Sequence, residues 1–137
     1  MSVVIDSSVT LAWCFADERT DAVDAVLTQV AESGAVVPSL RRLDVANALQ
    51  MAVRRKCIDT AFRDASLADL RALAIDIDPE TDQQAWTATH RLADRFNLTL
   101  YDAAYVEIAQ RLGLPLATRD PEMRVAASAL GLALLGG

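Results

Sequence analysis

Apolar positions along the chain alternate between a run typical of strands and a spacing typical of helices. Ser2 to Ile5 is a short β-branched run ending at Asp6, which reads as a buried strand feeding a turn at Ser7-Ser8. From Thr20 to Glu32, Val23, Val26, Leu27 and Val30 recur at helical spacing, and Ser33-Gly34 stops the run. Ala35 to Val37 reads as a second strand. Pro38-Ser39 then opens a helix to about Arg55 that carries Leu40, Leu43, Asn47 and Met51 along one side, with Asp44 beside Leu43 on that side.

The second half repeats the alternation. Thr60 to Leu73 predicts a helix, Ala74 to Ile77 a strand, and Pro79-Glu80 the start of a helix reaching about Phe96. Tyr101, Ala104, Tyr105, Ile108 and Leu112 form an apolar stripe closed by Gly113 and Pro115. Leu116 to Thr118 is a strand, Asp120-Pro121 opens a helix, and Leu132 to Leu135 is a last short strand. Strands this apolar, alternating with helices, predict an α/β fold with a parallel sheet covered on both faces.

Length and composition support one domain over residues 1–137 without repeat or linker. A domain of this size buries roughly 68% of the surface its unfolded chain exposes. The 53% apolar and 23% charged content excludes the signature of disorder. Net charge changes the picture more: −6 argues against a broad basic face for nucleic acid, so a polyanionic substrate must be met locally by a cation. Cys14 and Cys57 form no CxxC and His90 is the sole histidine, which excludes a thiolate-imidazole zinc set. They read as buried thiols of a reducing compartment. No stretch is long enough to span a bilayer and no signal peptide is visible, so a cytoplasmic protein is expected.

Four aspartates carry the candidate chemistry. Asp6 and Asp120 follow strands, and in a parallel α/β sheet ligands bind outside the carboxyl ends of the strands. Each also has a structural reading: Asp6 can cap the following helix, Asp120 stands before Pro121 as a cap stands before an N1 proline, and Thr99-x-x-Asp102 matches a capping box. Asp44 lies inside a helix, where Asp costs roughly 0.5 kcal/mol against Ala. It needs a partner: Asn47 one turn on, or a salt bridge to Arg41 or Arg42. Two such carboxylates about 4 Å apart repel by roughly 4 kcal/mol at an effective dielectric of 20. Gathered together, these acids would recruit a hard divalent cation, Mg²⁺ or Mn²⁺.

Four ordered blocks, Val3-Val-Ile-Asp-Ser-Ser-Val9, Pro38-Ser-Leu-Arg-Arg-Leu-Asp-Val-Ala-Asn-Ala-Leu49, Leu100-Tyr-Asp-Ala-Ala-Tyr105 and Pro115-Leu-Ala-Thr-Arg-Asp120, resemble a PIN-domain ribonuclease of the VapC toxin family. The resemblance spans essentially the whole chain. It implies a three-layer α/β/α sandwich around a short central parallel sheet, with Asp6, Asp44, Asp102 and Asp120 as the acidic quartet and Asn47 and Thr118 as supporting polar groups. It further implies an RNA substrate, Mg²⁺ with Mn²⁺ as a substitute, a small antitoxin whose tail enters the pocket, and a homodimer. Asp6 and Asp102 would be the primary metal ligands and Asp120 a ligand or an orienter of water. The second acid of the family is usually glutamate, so the shorter Asp44 would hold a second metal or act through water.

Other features are weaker. Arg54-Arg55-Lys56 could meet phosphate or complement a helix dipole equally well. Trp13, Phe15 and Trp86 read as core or dimer contacts, and His90 as a surface residue. A receiver-like domain would need a lysine near the last strands, where there is none, and a haloacid-dehalogenase-like phosphatase would need an acid at Ser8. The remaining alternative keeps the fold and makes it a catalytically weak module that binds RNA or protein.

Overall fold

Three β-branched residues with no exposure at all form β1 (Val3–Ile5), the central strand of the computed structural model, which describes residues 2–137. It pairs in parallel with β2 (Ala35–Val37) on one side and with β4 (Leu116–Ala117) on the other. β3 (Ile75–Ile77) joins β2, and β5 (Leu134–Leu135) joins β4, giving the all-parallel order β3-β2-β1-β4-β5. The first three strands step outward in one direction, and the chain then returns to the other side of β1. The seam between β1 and β4 is therefore the switch point, where a ligand site is expected.

Strand alternation splits the interior into two cores. Val4 and Leu116 face one, with Leu92, Ala93 and the buried residues of the helices before and after β4. Val3, Ile5, Ala35, Val37 and Ala117 face the other, with Val9, Trp13, Val23, Val26 and Val30. The period of two thus places helices on both faces, the expected sandwich.

Among the described residues eight α-helices, with a 3-10 turn at Ala16–Glu18, connect and cover the strands. On the face of Val3 and Ile5 lie α1 (Ser7–Cys14) and α2 (Asp21–Ser33). Next come α3 (Arg41–Arg54) and α4 (Thr60–Arg71), then the single turn α5 (Thr81–Gln84). The opposite face carries α6 (Ala88–Phe96), α7 (Leu100–Leu112) and α8 (Pro121–Ala129). Gly34, at φ +79°, turns α2 into β2 so close to the Ala74 carbonyl that an added Cβ would sit 3.3 Å from it.

Several sequence expectations shift. The segment read as a turn at Ser7-Ser8 is already α1, because the Asp6 side chain accepts from the Val9 amide and caps it. The helix expected from Pro79 to Phe96 breaks at residues 85–87, where Thr87 leaves the helical region at φ −124°, ψ −97°. α3 buries Arg41, Val45 and Leu49 at successive fourth positions, so Leu43, expected on its inner side, is 79% exposed. Trp13 is core and donates to the Val23 carbonyl at 3.0 Å, whereas Trp86 is 92% exposed. Cys57 is exposed and Cys14 only half-buried, so the two are not both the interior thiols expected.

A charge cluster fastens β3 to α7. Arg111 donates to Glu107 at 2.8 and 3.0 Å, to Asp78 at 2.7 and 3.2 Å, and to Glu80 at 3.0 Å. Burial pushes the Asp78 carboxyl up, but bonds from Arg111 and Thr81 hold it, on balance, below its ordinary value. Glu107 and Asp78 are both buried, so losing the guanidinium strands two carboxylates away from water. Arg111→Ala is expected to lower stability by about 3 kcal/mol in urea unfolding; a midpoint equal to that of wild type would show that the cluster contributes nothing.

Candidate active site

Asp6 leaves the end of β1 with 3% exposure, and a carboxylate there must find its hydrogen bonds inside the protein. Its Oδ1 accepts from Ser8 Oγ at 2.7 Å and from the Val9 amide at 3.1 Å; its Oδ2 accepts from Thr118 Oγ1 at 2.5 Å. Burial is the largest influence and raises its pKa, the three hydrogen bonds oppose it, and the Asp120 charge adds to the rise.

The same two hydroxyls grip the segment after β4. Thr118 Oγ1 accepts from the Asp120 amide at 3.0 Å, and Ser8 Oγ accepts from the Arg119 amide at 2.9 Å. Thr118 is thus the supporting group of this corner. Ser8, noted in the sequence only as a non-acid, is an equal partner. Asp120 caps α8 entirely through Oδ1, which accepts from the Glu122 and Met123 amides at 2.9 and 3.1 Å. Its Oδ2 takes no hydrogen bond among the described residues. One oxygen holds the helix and the other is uncommitted, so capping does not exclude a second role.

Asp102 stands in the first turn of α7, where Thr99 Oγ1 accepts from its amide at 3.1 Å. Its carboxyl is pushed up to about 6, first by burial and then by the charges of Asp120, Asp6 and Asp44 in turn, with the Thr99 hydroxyl opposing. Asp102 therefore lies within electrostatic reach of each of the other three, and Asp6 within reach of Asp120. The four come from the ends of β1 and β4 and from the opening turns of α3 and α7.

Asp44 is half-buried, and its partner is neither Asn47 nor an arginine. The Tyr105 hydroxyl donates to Asp44 Oδ2 at 3.3 Å, joining α7 to α3. Burial and then the Asp44 and Asp6 charges hold the Tyr105 phenol strongly upward, so it is a neutral donor. Asn47 is exposed and makes no side-chain hydrogen bond among the described residues. Tyr105 looked like a stripe residue in the sequence; its spacing one turn after Asp102 was the available signal. Arg41, 6% exposed, donates through Nη2 to Thr10 Oγ1 at 3.1 Å, and Thr10 in turn donates to the Asp6 carbonyl at 2.9 Å.

Hard oxygen donors under mutual repulsion suit a divalent cation. Among the described residues no three acids are close enough to enclose one ion by themselves. Mg²⁺ does not need that, because it is commonly held by one or two carboxylates, waters and substrate phosphate. Burial and, after it, the Asp120, Asp6 and Asp44 charges raise the Asp102 carboxyl, and an ion there would relieve the second of these influences.

A buried acid at the end of the central strand and three more acids around it, at the switch point of a five-stranded parallel sheet, define a class of fold and site. The chain belongs to the PIN domain family, whose model matches residues 3–129. It is similar to Ribonuclease VapC3 of Pyrobaculum aerophilum, with 28% identity over 127 residues, 90% of this chain and 92% of that one. Among solved structures, PAE2754 of Pyrobaculum aerophilum shares the fold at a TM-score of 0.68 and 22% identity, covering 92% of this chain and 84% of that one.

The Asp102 shift sets a pH dependence for the metal-free protein. A carboxyl titrating at about 6 when folded and near 3.8 otherwise binds its proton more tightly in the folded state. Stability from this group is therefore lost as pH rises from about 3.8 through 6 and stays lost above. In EDTA, Asp102→Asn is expected to melt a few degrees higher than wild type near neutral pH, with the gap closing at acid pH. A gap that is constant across pH would contradict the repulsion.

Proposed function

We propose that the chain is a metal-dependent endoribonuclease and the toxin of a toxin-antitoxin pair. The observation that carries this reading is the negative charge gathered about Asp102, whose carboxyl is raised to about 6 by burial and then by the Asp120, Asp6 and Asp44 charges. The name of the similar protein, Ribonuclease VapC3, supports RNA as the substrate. Asp6 and Asp102 would hold Mg²⁺ or Mn²⁺, with Asp120 offering its uncommitted oxygen to the ion or to the attacking water. Asp44, tied to Tyr105, would act from the outer side.

A bound divalent cation supplies Lewis-acid chemistry, drawing in the scissile phosphate and making water more acidic. The protein contributes orientation. Ser8, Val9 and Thr118 lock the Asp6 carboxylate, and Tyr105 fixes Asp44, so neither must reorganise when charge builds on the phosphate. No histidine, serine or cysteine nucleophile is required. The same reading brings a small antitoxin whose basic tail enters the acidic cleft, a homodimer, and action in the cytoplasm. No helix among the described residues is long and apolar enough to cross a membrane.

A second reading, a catalytically weak PIN domain that binds RNA or protein, draws on the engaged Asp44 and on the absence of a closed three-acid set. Cleavage separates the two. RNA is expected to be cut in Mg²⁺ or Mn²⁺, to survive in EDTA, and to be cut by Asp6→Ala at least about 10²-fold more slowly. Binding without cleavage in either metal would select the second reading. Induced expression in a bacterial host is expected to arrest growth with wild type and not with Asp102→Asn; arrest by both would sink the toxin mechanism.

A further inference from the structure

A nuclease with net charge −6 and four acids at its site repels the polymer it must hold. A cation can anchor one phosphate, and a bound strand gains from further contacts that do not depend on positive charge. Stacking of bases on aromatic rings meets that condition and tolerates any sequence.

Phe62, Trp86 and Tyr101 are the exposed aromatic side chains among the described residues. The Phe62 ring is already stacked on Phe15, with centroids 6.0 Å apart. Trp86 precedes α6, and α6 folds back on α7 through a turn at Asn97, so Trp86 lies at the far end of that hairpin from Asp102. Tyr101 immediately precedes Asp102 and is 66% exposed. It also lies four residues before Tyr105, on the same stripe of α7, and that stripe meets α3 through the Tyr105–Asp44 bond. Leu43, beside Asp44 on α3, is 79% exposed, and Leu100 adds a half-open apolar side chain at the start of α7. The two helix starts that carry Asp44 and Asp102 thus each present exposed apolar surface as well.

We propose that Tyr101 is a stacking platform for an unpaired base next to the phosphate held at the aspartates. This rests on the nuclease reading, and it assigns the exposed Tyr101 ring the base that neighbours the scissile phosphate.

The test uses a short single-stranded RNA carrying 2-aminopurine, with binding followed by fluorescence in Mg²⁺ and cleavage followed in parallel. Wild type is expected to change the probe's emission on binding. Tyr101→Ala should lose that change and raise KM roughly tenfold or more with kcat little altered, while Tyr101→Phe restores both. Trp86→Ala, remote from the cleft, should behave as wild type. An annealed duplex should be cut far more slowly than the single strand. Equal emission changes for wild type and Tyr101→Ala, or a loss confined to kcat, would overturn the proposal. So would a change of oligomeric state in Tyr101→Ala with RNA affinity intact, which would make the patch a contact between copies. Cleavage without a Tyr101-dependent signal removes the platform and leaves the nuclease; the signal without cleavage does the reverse.

Discussion

The Thr118 hydroxyl donates to Asp6 across the seam between β1 and β4, and a carboxylate that is 3% exposed depends on it. An ionised carboxylate moved out of water without partners costs several kcal/mol. Hydrogen bonds to charged groups return about 1.5–3 kcal/mol each, so the three that Asp6 receives offset part of that cost, and burial still raises its pKa on balance. Those donors come from β1's own continuation into α1 and from the end of β4. The two strands must therefore be in register before the acid is satisfied.

Around this fixed acid the other three are less constrained. Asp120 spends one oxygen on α8, Asp44 accepts from Tyr105, and Asp102 is held mainly through its backbone amide. Helix starts are natural places for such groups, because free amides there favour negative charge. Gathering four of them at one sheet edge works against stability, and Asp102 carries the visible cost. Sites of this kind commonly trade stability for chemistry.

Much of the architecture was legible. β-branched runs marked β1 and β2, Gly113 and Pro115 marked the end of α7, and the order of elements implied a parallel sheet. What was lost has physical causes. Ser7 to Cys14 contains β-branched Val9 and Thr10, poor helix formers, so α1 gave little helical signal beyond its cap. On α3 two stripes compete, and the one that is buried starts with an arginine whose stem packs inside, which a count of apolar residues misses. All four acids could be named from the sequence, but hydrogen-bond partners depend on helix pairing. Asp44 therefore found Tyr105, 61 residues away, rather than Asn47 on its own helix.

The strands are only two or three residues long, so the backbone ladder between β1 and β4 is brief. At its open end the sheet is stitched by side chains instead, through Ser8, Thr118 and Asp6. A relative that abandoned catalysis would thus have a structural reason to retain Asp6, because the acid belongs to the sheet as much as to the site. The Asp102 carboxyl bonds with the Thr99 hydroxyl at the start of its own helix and so ties no second element to the sheet. The sheet therefore does not depend on the acid on α7 as it depends on the one at its centre.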